Sequence, residues 1–226
     1  YIMTNKIKYG VIGTGVMGQE HIQNINIIEN AEVVAICDTN ENSRNQTKSL
    51  LKNSTKLYND LNELISKNIA DAYIIATPNF THINILEQIL KTNKHLLIEK
   101  PLCTTTEDCK KFELISKNYS KIIWTGMEYR YMPPVQQLIK EVHNNVIGKI
   151  KMLSIREHRF PFLHKVDDWN RFAVNTGGTL VEKCCHFFDL MRLVIQSEPT
   201  KVYASGNQDV NHLEEKYDGK TPDIID

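Results

Sequence analysis

Residues 6–18 read KIKYGVIGTGVMG. The first half is short, apolar and β-branched, which predicts a buried strand. The second half, GTGVMG (13–18), has the pattern GxGxxG. Apolar spacing over 15–28 then predicts a helix, so the glycines fall at a strand–helix junction. In that position each glycine has its own task. Gly13 makes the tight turn, Gly15 lets the backbone approach a pyrophosphate, and Gly18 lets helix pack on strand. The helix start adds free N–H groups and a positive dipole end. Gly13, Thr14, Gly15, Val16, Met17 and Gly18 are therefore candidate cofactor-binding residues.

The alternative is a glycine-rich turn with no ligand, and a second element weighs against it. Asp38 ends a second apolar strand, AEVVAICD (31–38), 20 residues beyond Gly18. An acidic residue there hydrogen-bonds the ribose 2′-OH of NAD and repels the 2′-phosphate of NADP. Arg44, in the helix expected over 41–52, would soften that exclusion. NAD is the expected cofactor and NADP the less favoured one.

Further along, DAYIIATP (71–78) and KHLLIEKP (94–101) read as strands stopped by proline, and KIIWTG (121–126) as another. Helices are expected over 81–93 and 104–118. Short apolar strands alternating with helices imply a parallel sheet with right-handed crossovers. Residues 1–126 thus read as a complete doubly wound nucleotide-binding domain. The pattern then changes. A Pro-started helix is expected over 132–145, a half-wet strand over 148–160, a loop containing DDWNRF, a helix from about 180 to 195, and a strand over 200–208. Strands are few for that length and the ending, KYDGKTPDIID, is polar. Residues 127–226 therefore read as a second domain, truncated relative to its natural product.

Bulk properties exclude several classes. The 226 residues are 41% hydrophobic and 24% charged, ordinary values for a globular chain. Lys+Arg and Asp+Glu both total 27, so no net charge points to nucleic acid or an anionic membrane. No apolar run approaches the roughly 18 residues of a membrane span. The start, YIMTNKIKYGVIG, lacks the apolar core and cleavage site of a signal peptide. The five cysteines are odd in number and form no CxxC, so reduced thiols in a cytoplasmic protein are expected.

VEKCCHFFDL (181–190) packs a glutamate, two cysteines, a histidine and an aspartate into ten positions. At about 100° per residue, one helix would put Glu182, His186 and Asp189 on a shared polar face, with Cys185 at its margin. Cys184 would lie opposite, packed inside. The two cysteines then cannot both reach one metal. A site of Glu182, His186 and Asp189 stays open as an alternative.

Four landmarks, GTGVMG (13–18), ATPNFTH (76–82), EKP (99–101) and GGTLVEKCCHFFDLMRLV (177–194), together resemble the Gfo/Idh/MocA oxidoreductases. The resemblance implies an N-terminal Rossmann domain and a C-terminal α+β domain with an open, mostly antiparallel sheet. It implies homo-oligomers joined through that sheet, and a polyol or sugar-like small molecule as substrate. It places Thr77, Pro78, Asn79 and His82 at the nicotinamide end of the cofactor, with Glu99 and Lys100, after the next strand, as further cofactor-binding residues. Pro101 would hold Lys100 through a cis peptide. Lys100, Glu182 and His186 match the catalytic positions, with glutamate where the family usually has aspartate. Tyr129 and Arg130 match an aromatic–arginine pair near the cleft. Oxidising a secondary alcohol sends a hydride to nicotinamide and a proton to a base. His186 suits the acid/base role, Lys100 the stabilisation of alkoxide character, and Glu182 the orientation of the imidazole. The first two roles are interchangeable on the sequence alone. Two other readings compete: a catalytically impaired nucleotide-binding or scaffold protein of this fold, and a metal-dependent enzyme using the 182–189 cluster.

Overall fold

The strands of the first half bury their C-terminal ends. In β1 (Ile7–Ile12) exposure falls from the first residue to the last three, which are buried. β2 (Ala31–Cys37), β3 (Lys56–Tyr58), β4 (Ala72–Ile75), β5 (His95–Ile98) and β6 (Ile123–Thr125) complete a six-stranded sheet. All pairings are parallel and the order is β3-β2-β1-β4-β5-β6. The order in which strands are added reverses between β1 and β4, which opens a crevice beyond the strand ends where ligands bind in such sheets. This computed structural model describes residues 6–158 and 160–225.

Both sheet faces are covered. On one, Ile12, Tyr73, Ile75, Leu96 and Ile98 pack with Leu64 of α3 (Leu61–Lys67), Ile83, Leu86 and Ile89 of α4 (His82–Ile89), and Phe112 of α5 (Thr106–Ser116). On the other, Val11, Val33, Ile36 and Ile74 pack with Ile22 and Ile25 of α1 (Val16–Asn26). Each fully buried Ile or Leu contributes about 1.5–3 kcal/mol. In β2 the alternation changes phase: Val33 faces α1, yet Ala35 faces the opposite side. The register jumps there, Tyr9 pairing with Val33 and Gly10 with Ala35. One extra residue in a strand flips every later side chain.

Caps set the helix starts. Asn40 accepts from Ser43 N–H at the head of α2 (Glu41–Thr47), Asp60 from Glu63 N–H at α3, and Thr105 from Asp108 N–H at α5. The head of α1 differs, with Gly15 at the cap and no side-chain cap bond. β3 and α3 occupy a stretch for which the sequence reading gave no element.

The chain divides into two compact units. One is residues 1–126 with Lys165–Trp169, and the other Met127–His164 with Asn170–Asp226. Within the first, Trp169 meets Phe80 edge to face, with centroids 6.4 Å apart. The DDWNRF segment is not an open loop. It makes 3-10 turns over Val166–Arg171, interrupted by a kink at Asp167 and Asp168, whose positive φ values are not helical.

The second unit holds α6 (Pro133–His143), α7 (Ala173–Thr176), α8 (Thr179–Glu182) and α9 (Cys185–Ile195). Two expectations change here. The helix expected over 180–195 is two helices, broken at Lys183–Cys184. Lys183 N–H and Cys184 N–H both donate to the Thr179 carbonyl, so a regular ladder does not continue. The strands expected over 148–160 and 200–208 are not formed among the described residues, nor is the open sheet that was to join protomers. A strand needs a partner for its backbone groups, and these segments do not pair with each other.

Instead the end of the described chain is fastened by side chains. Arg171 is 1% exposed and donates through Nε to Glu215 Oε2 at 2.8 Å. Tyr217 OH donates to the same oxygen at 2.8 Å, and His212 Nδ1 lies 2.7 Å from Oε1. Burial alone would raise the Glu215 pKa, but these hydrogen bonds outweigh it and hold the carboxyl at about 2. A depressed carboxyl contributes stability above its unfolded pKa of about 4.3, and loses it as pH falls toward the folded value. Glu215→Gln is therefore expected to lower stability at pH 7. The gap between the two proteins should narrow as pH falls from 5 to 2 in urea melts. A gap independent of pH would contradict this network.

Candidate active site

Each glycine of the loop meets a different environment. Gly13 has φ +87°, and a Cβ there would come 2.5 Å from the Ala76 carbonyl oxygen. On Gly18 a Cβ would lie 2.0 Å from the Gly13 carbonyl oxygen. On Gly15 it would meet nothing within 4 Å. So Gly13 turns the chain against β4, Gly18 seats α1 on the loop, and Gly15 leaves its backbone open. Thr14 is buried, Met17 half-buried, and Val16 60% exposed. The first turn of α1 carries no acidic residue to compete with an anion.

Asp38 closes onto this loop. Its Oδ2 accepts from Thr14 N–H at 2.7 Å and Thr14 Oγ1 at 3.1 Å, and its Oδ1 from Asn40 N–H at 2.8 Å. Arg44 donates to the Asp38 and Thr39 carbonyls at 2.5 and 3.0 Å, which fixes the turn from behind. A carboxylate held by backbone donors beside an open glycine turn fits the ribose and pyrophosphate of a dinucleotide.

The strand ends align in one row. Gly13 N–H donates to Cys37 O, Ala76 N–H to Ile12 O, Glu99 N–H to Ile75 O and Gly126 N–H to Ile98 O, all at 2.7–2.8 Å. Thr77 and Pro78 are half-buried beyond β4, and Asn79 is buried. His82 departs from its expected role. Its ring is 0% exposed, with Nδ1 2.9 Å from the Pro101 carbonyl oxygen and Nε2 3.1 Å from that of Thr77. Burial pushes its pKa down, and the carbonyl contacts only partly offset this. His82 thus ties the Thr77 turn to the Pro101 turn and does not present itself to a ligand.

The Lys100–Pro101 peptide is cis, as the resemblance implied. Lys100 is half-buried, and its N–H donates to Glu99 Oε2 at 3.2 Å. The other oxygen of Glu99 accepts from His21 Nε2 on α1 at 2.6 Å. The sequence reading missed His21, because 78 residues separate the two.

In the second unit, Glu182 ends α8 and is half-buried, while His186 sits in the first turn of α9 and is 2% exposed. The break between the helices removes the single polar face drawn from the sequence. His186 stacks on Tyr129 with centroids 4.2 Å apart and planes 9° apart, and its Nε2 lies 3.4 Å from Glu128 Oε1. Arg130 makes a two-pronged bond to Asp189, Nε to Oδ2 at 2.5 Å and Nη2 to Oδ1. Asp189 is therefore committed to an ion pair. Lys183, also missed, donates to Tyr129 OH and pairs with Glu157 at 3.3 Å. Both Cys184, expected inside, and Cys185 are half-buried. Among the described residues no three His, Cys, Asp or Glu side chains cluster as a metal ligand set. Among the described residues no helix is long and apolar enough to cross a membrane.

Residues 7–127 match the family described as "Oxidoreductase family, NAD-binding Rossmann fold", and residues 139–223 its "C-terminal alpha/beta domain". This chain belongs to the Gfo/Idh/MocA oxidoreductase family. Myo-inositol 2-dehydrogenase of Thermotoga maritima is 30% identical over 201 residues, covering 89% of this chain and 58% of that protein. Glucose-6-phosphate 3-dehydrogenase of Bacillus subtilis is 30% identical over 220 residues, covering 92% and 60%. Among solved structures, a probable dehydrogenase from Thermotoga maritima superposes with a TM-score of 0.77 at 29% identity, covering 91% of this chain and 60% of that one. The myo-inositol dehydrogenase of Lactobacillus casei, solved with NAD(H) and myo-inositol, gives 0.70 at 26% identity, covering 84% and 55%. The chain thus spans about three fifths of the length of these relatives. The Gfo/Idh/MocA assignment accounts for the Rossmann sheet order.

Proposed function

We propose that this protein is an NAD-dependent oxidoreductase that moves a hydride between nicotinamide and a secondary hydroxyl or carbonyl of a polyol, sugar or related small molecule. The observation that carries the reading is the Asp38 carboxylate, fixed by Thr14 and Asn40 N–H groups beside the open backbone of Gly15. In this reading Asp38 takes the ribose hydroxyls, the Gly13–Gly18 loop takes the pyrophosphate, and Thr77, Pro78 and Asn79 line the nicotinamide end. Bound NAD supplies the hydride acceptor. The protein supplies the proton path and the positioning.

Lys100 stabilises alkoxide character on the reacting oxygen. His186 gives or takes the proton, its ring plane set by Tyr129. Glu182 binds a neighbouring hydroxyl or orients the imidazole. The relatives named inositol and sugar-phosphate dehydrogenases support the substrate class.

Two measurements test this reading. A panel of inositols and sugar alcohols with NAD should yield NADH from at least one member, and about a thousandfold less from Lys100→Ala. Asp38→Ala should weaken NADH binding about tenfold or more, as charge-assisted ribose hydrogen bonds worth about 1.5–3 kcal/mol are lost. NADPH binding should weaken less or improve, since a like charge is removed. An unchanged NADH/NADPH affinity ratio in fluorescence titrations would refute the ribose assignment.

A further inference from the structure

We propose that His21 and Glu99 form a positioning pair that couples the cofactor-binding helix α1 to Lys100. The proposal rests on the NAD-binding reading above for what lies at each end of the coupling. His21 lies one turn beyond Gly18 in α1, the helix that begins at the glycine loop. Glu99 is 8% exposed and uses both carboxylate oxygens: Oε1 accepts from His21 at 2.6 Å, and Oε2 from the Lys100 N–H at 3.2 Å.

A buried carboxylate stays ionised only where partners offset its desolvation. Here burial pushes the Glu99 pKa up, while the His21 hydrogen bond and charge, with those of Lys100, bring it below the usual carboxylate value. The pair is therefore a charge-assisted bond inside the fold, stronger than an exposed pair would be. Its surroundings restrict the carboxylate. Glu99 N–H is fixed to Ile75 O at 2.8 Å, and a Cβ on Gly126 would come 3.6 Å from Oε1. With Oε1 held from α1, Oε2 stays on the Lys100 amide. A phosphate drawn to the head of α1 thus acts on the same rigid helix that steadies the lysine turn.

The test reads amide hydrogen exchange by NMR, with and without NADH. In the wild type, NADH should slow exchange of the Lys100 amide. In His21→Leu that amide should exchange about tenfold faster, as one charge-assisted bond is lost, and NADH should no longer slow it. His21→Gln, which keeps a side-chain N–H donor, should restore most of the protection. Glu99→Gln should behave like His21→Leu. Ile22 and Ile25, buried in α1, should stay protected throughout, and in His21→Leu NADH affinity should stay within about threefold.

Unchanged Lys100 exchange in His21→Leu would overturn the proposal. Faster exchange along all of α1 would overturn it too, because the histidine would then only pack the helix. If the wild type binds no NADH, the function proposed above fails separately. The tenfold change in Lys100 exchange without cofactor would still decide whether the pair holds the turn.

Discussion

Lys100→Ala is expected to lower turnover about a thousandfold while NADH affinity stays within about threefold. The reasoning starts from the turn. The Glu99 carboxylate on the Lys100 N–H fixes this backbone independently of the lysine side chain. Truncation to alanine thus leaves the glycine loop, Asp38 and the His82 strut in place. Only the ammonium is lost. In the proposed chemistry that group acts on charge that develops in the transition state, so its removal raises the barrier and not the cofactor Kd. Steady-state kinetics and NADH fluorescence on one preparation separate the two effects. A variant that loses cofactor affinity instead would make the lysine part of the binding site.

The second large effect comes from the glycines, and here two substitutions should part company. Gly18→Ala drives a Cβ to 2.0 Å from the Gly13 carbonyl oxygen and 2.9 Å from its carbon, both backbone atoms that cannot swing aside. Either α1 moves off the sheet or the loop opens. The expected cost is about 3 kcal/mol or more, a fall in Tm of about 6–12 °C, with NADH binding lost as well. Gly15 has φ −67° and open space where a Cβ would stand, so alanine fits the apo fold. Gly15→Ala should keep the wild-type Tm yet bind NADH about tenfold or more weakly, because the methyl occupies the place of the pyrophosphate. Equal stability and equal NADH affinity in Gly15→Ala would mean that no phosphate approaches this turn.

The sheet was legible wherever strands are short apolar runs bounded by glycine or proline. β1, β4 and β5 are such runs, and β2 is an apolar run bounded by Asn30 and Asp38. β3 was not, because Lys56–Tyr58 is three residues long at the edge of the sheet, too short for a period. α3 did carry signals, with Asp60 as N-cap and Asn68 in the left-handed conformation at its end. The break at Lys183–Cys184 has neither glycine nor proline to announce it, and so the stretch read as one helix. Alternation over 148–160 was a fair strand signal, but alternation reports a half-buried face and not a partner. In the candidate site, the residues read from loop chemistry (Gly13, Gly15, Gly18, Asp38) lie where the pattern put them. His82 read as a ligand contact because sequence gives position beyond a strand, not burial. The His21–Glu99 and Tyr129–Lys183 contacts join residues 78 and 54 positions apart, and local pattern carries no trace of them.

Side-by-side fluorescence titration of the wild-type protein with NADH and NADPH is the most direct test that this loop and Asp38 bind NAD. NADH is expected to bind saturably and about tenfold or more tightly than NADPH, because the Asp38 carboxylate repels a 2′-phosphate. Absence of saturable NADH binding, or NADPH binding as tightly as NADH, would contradict the account.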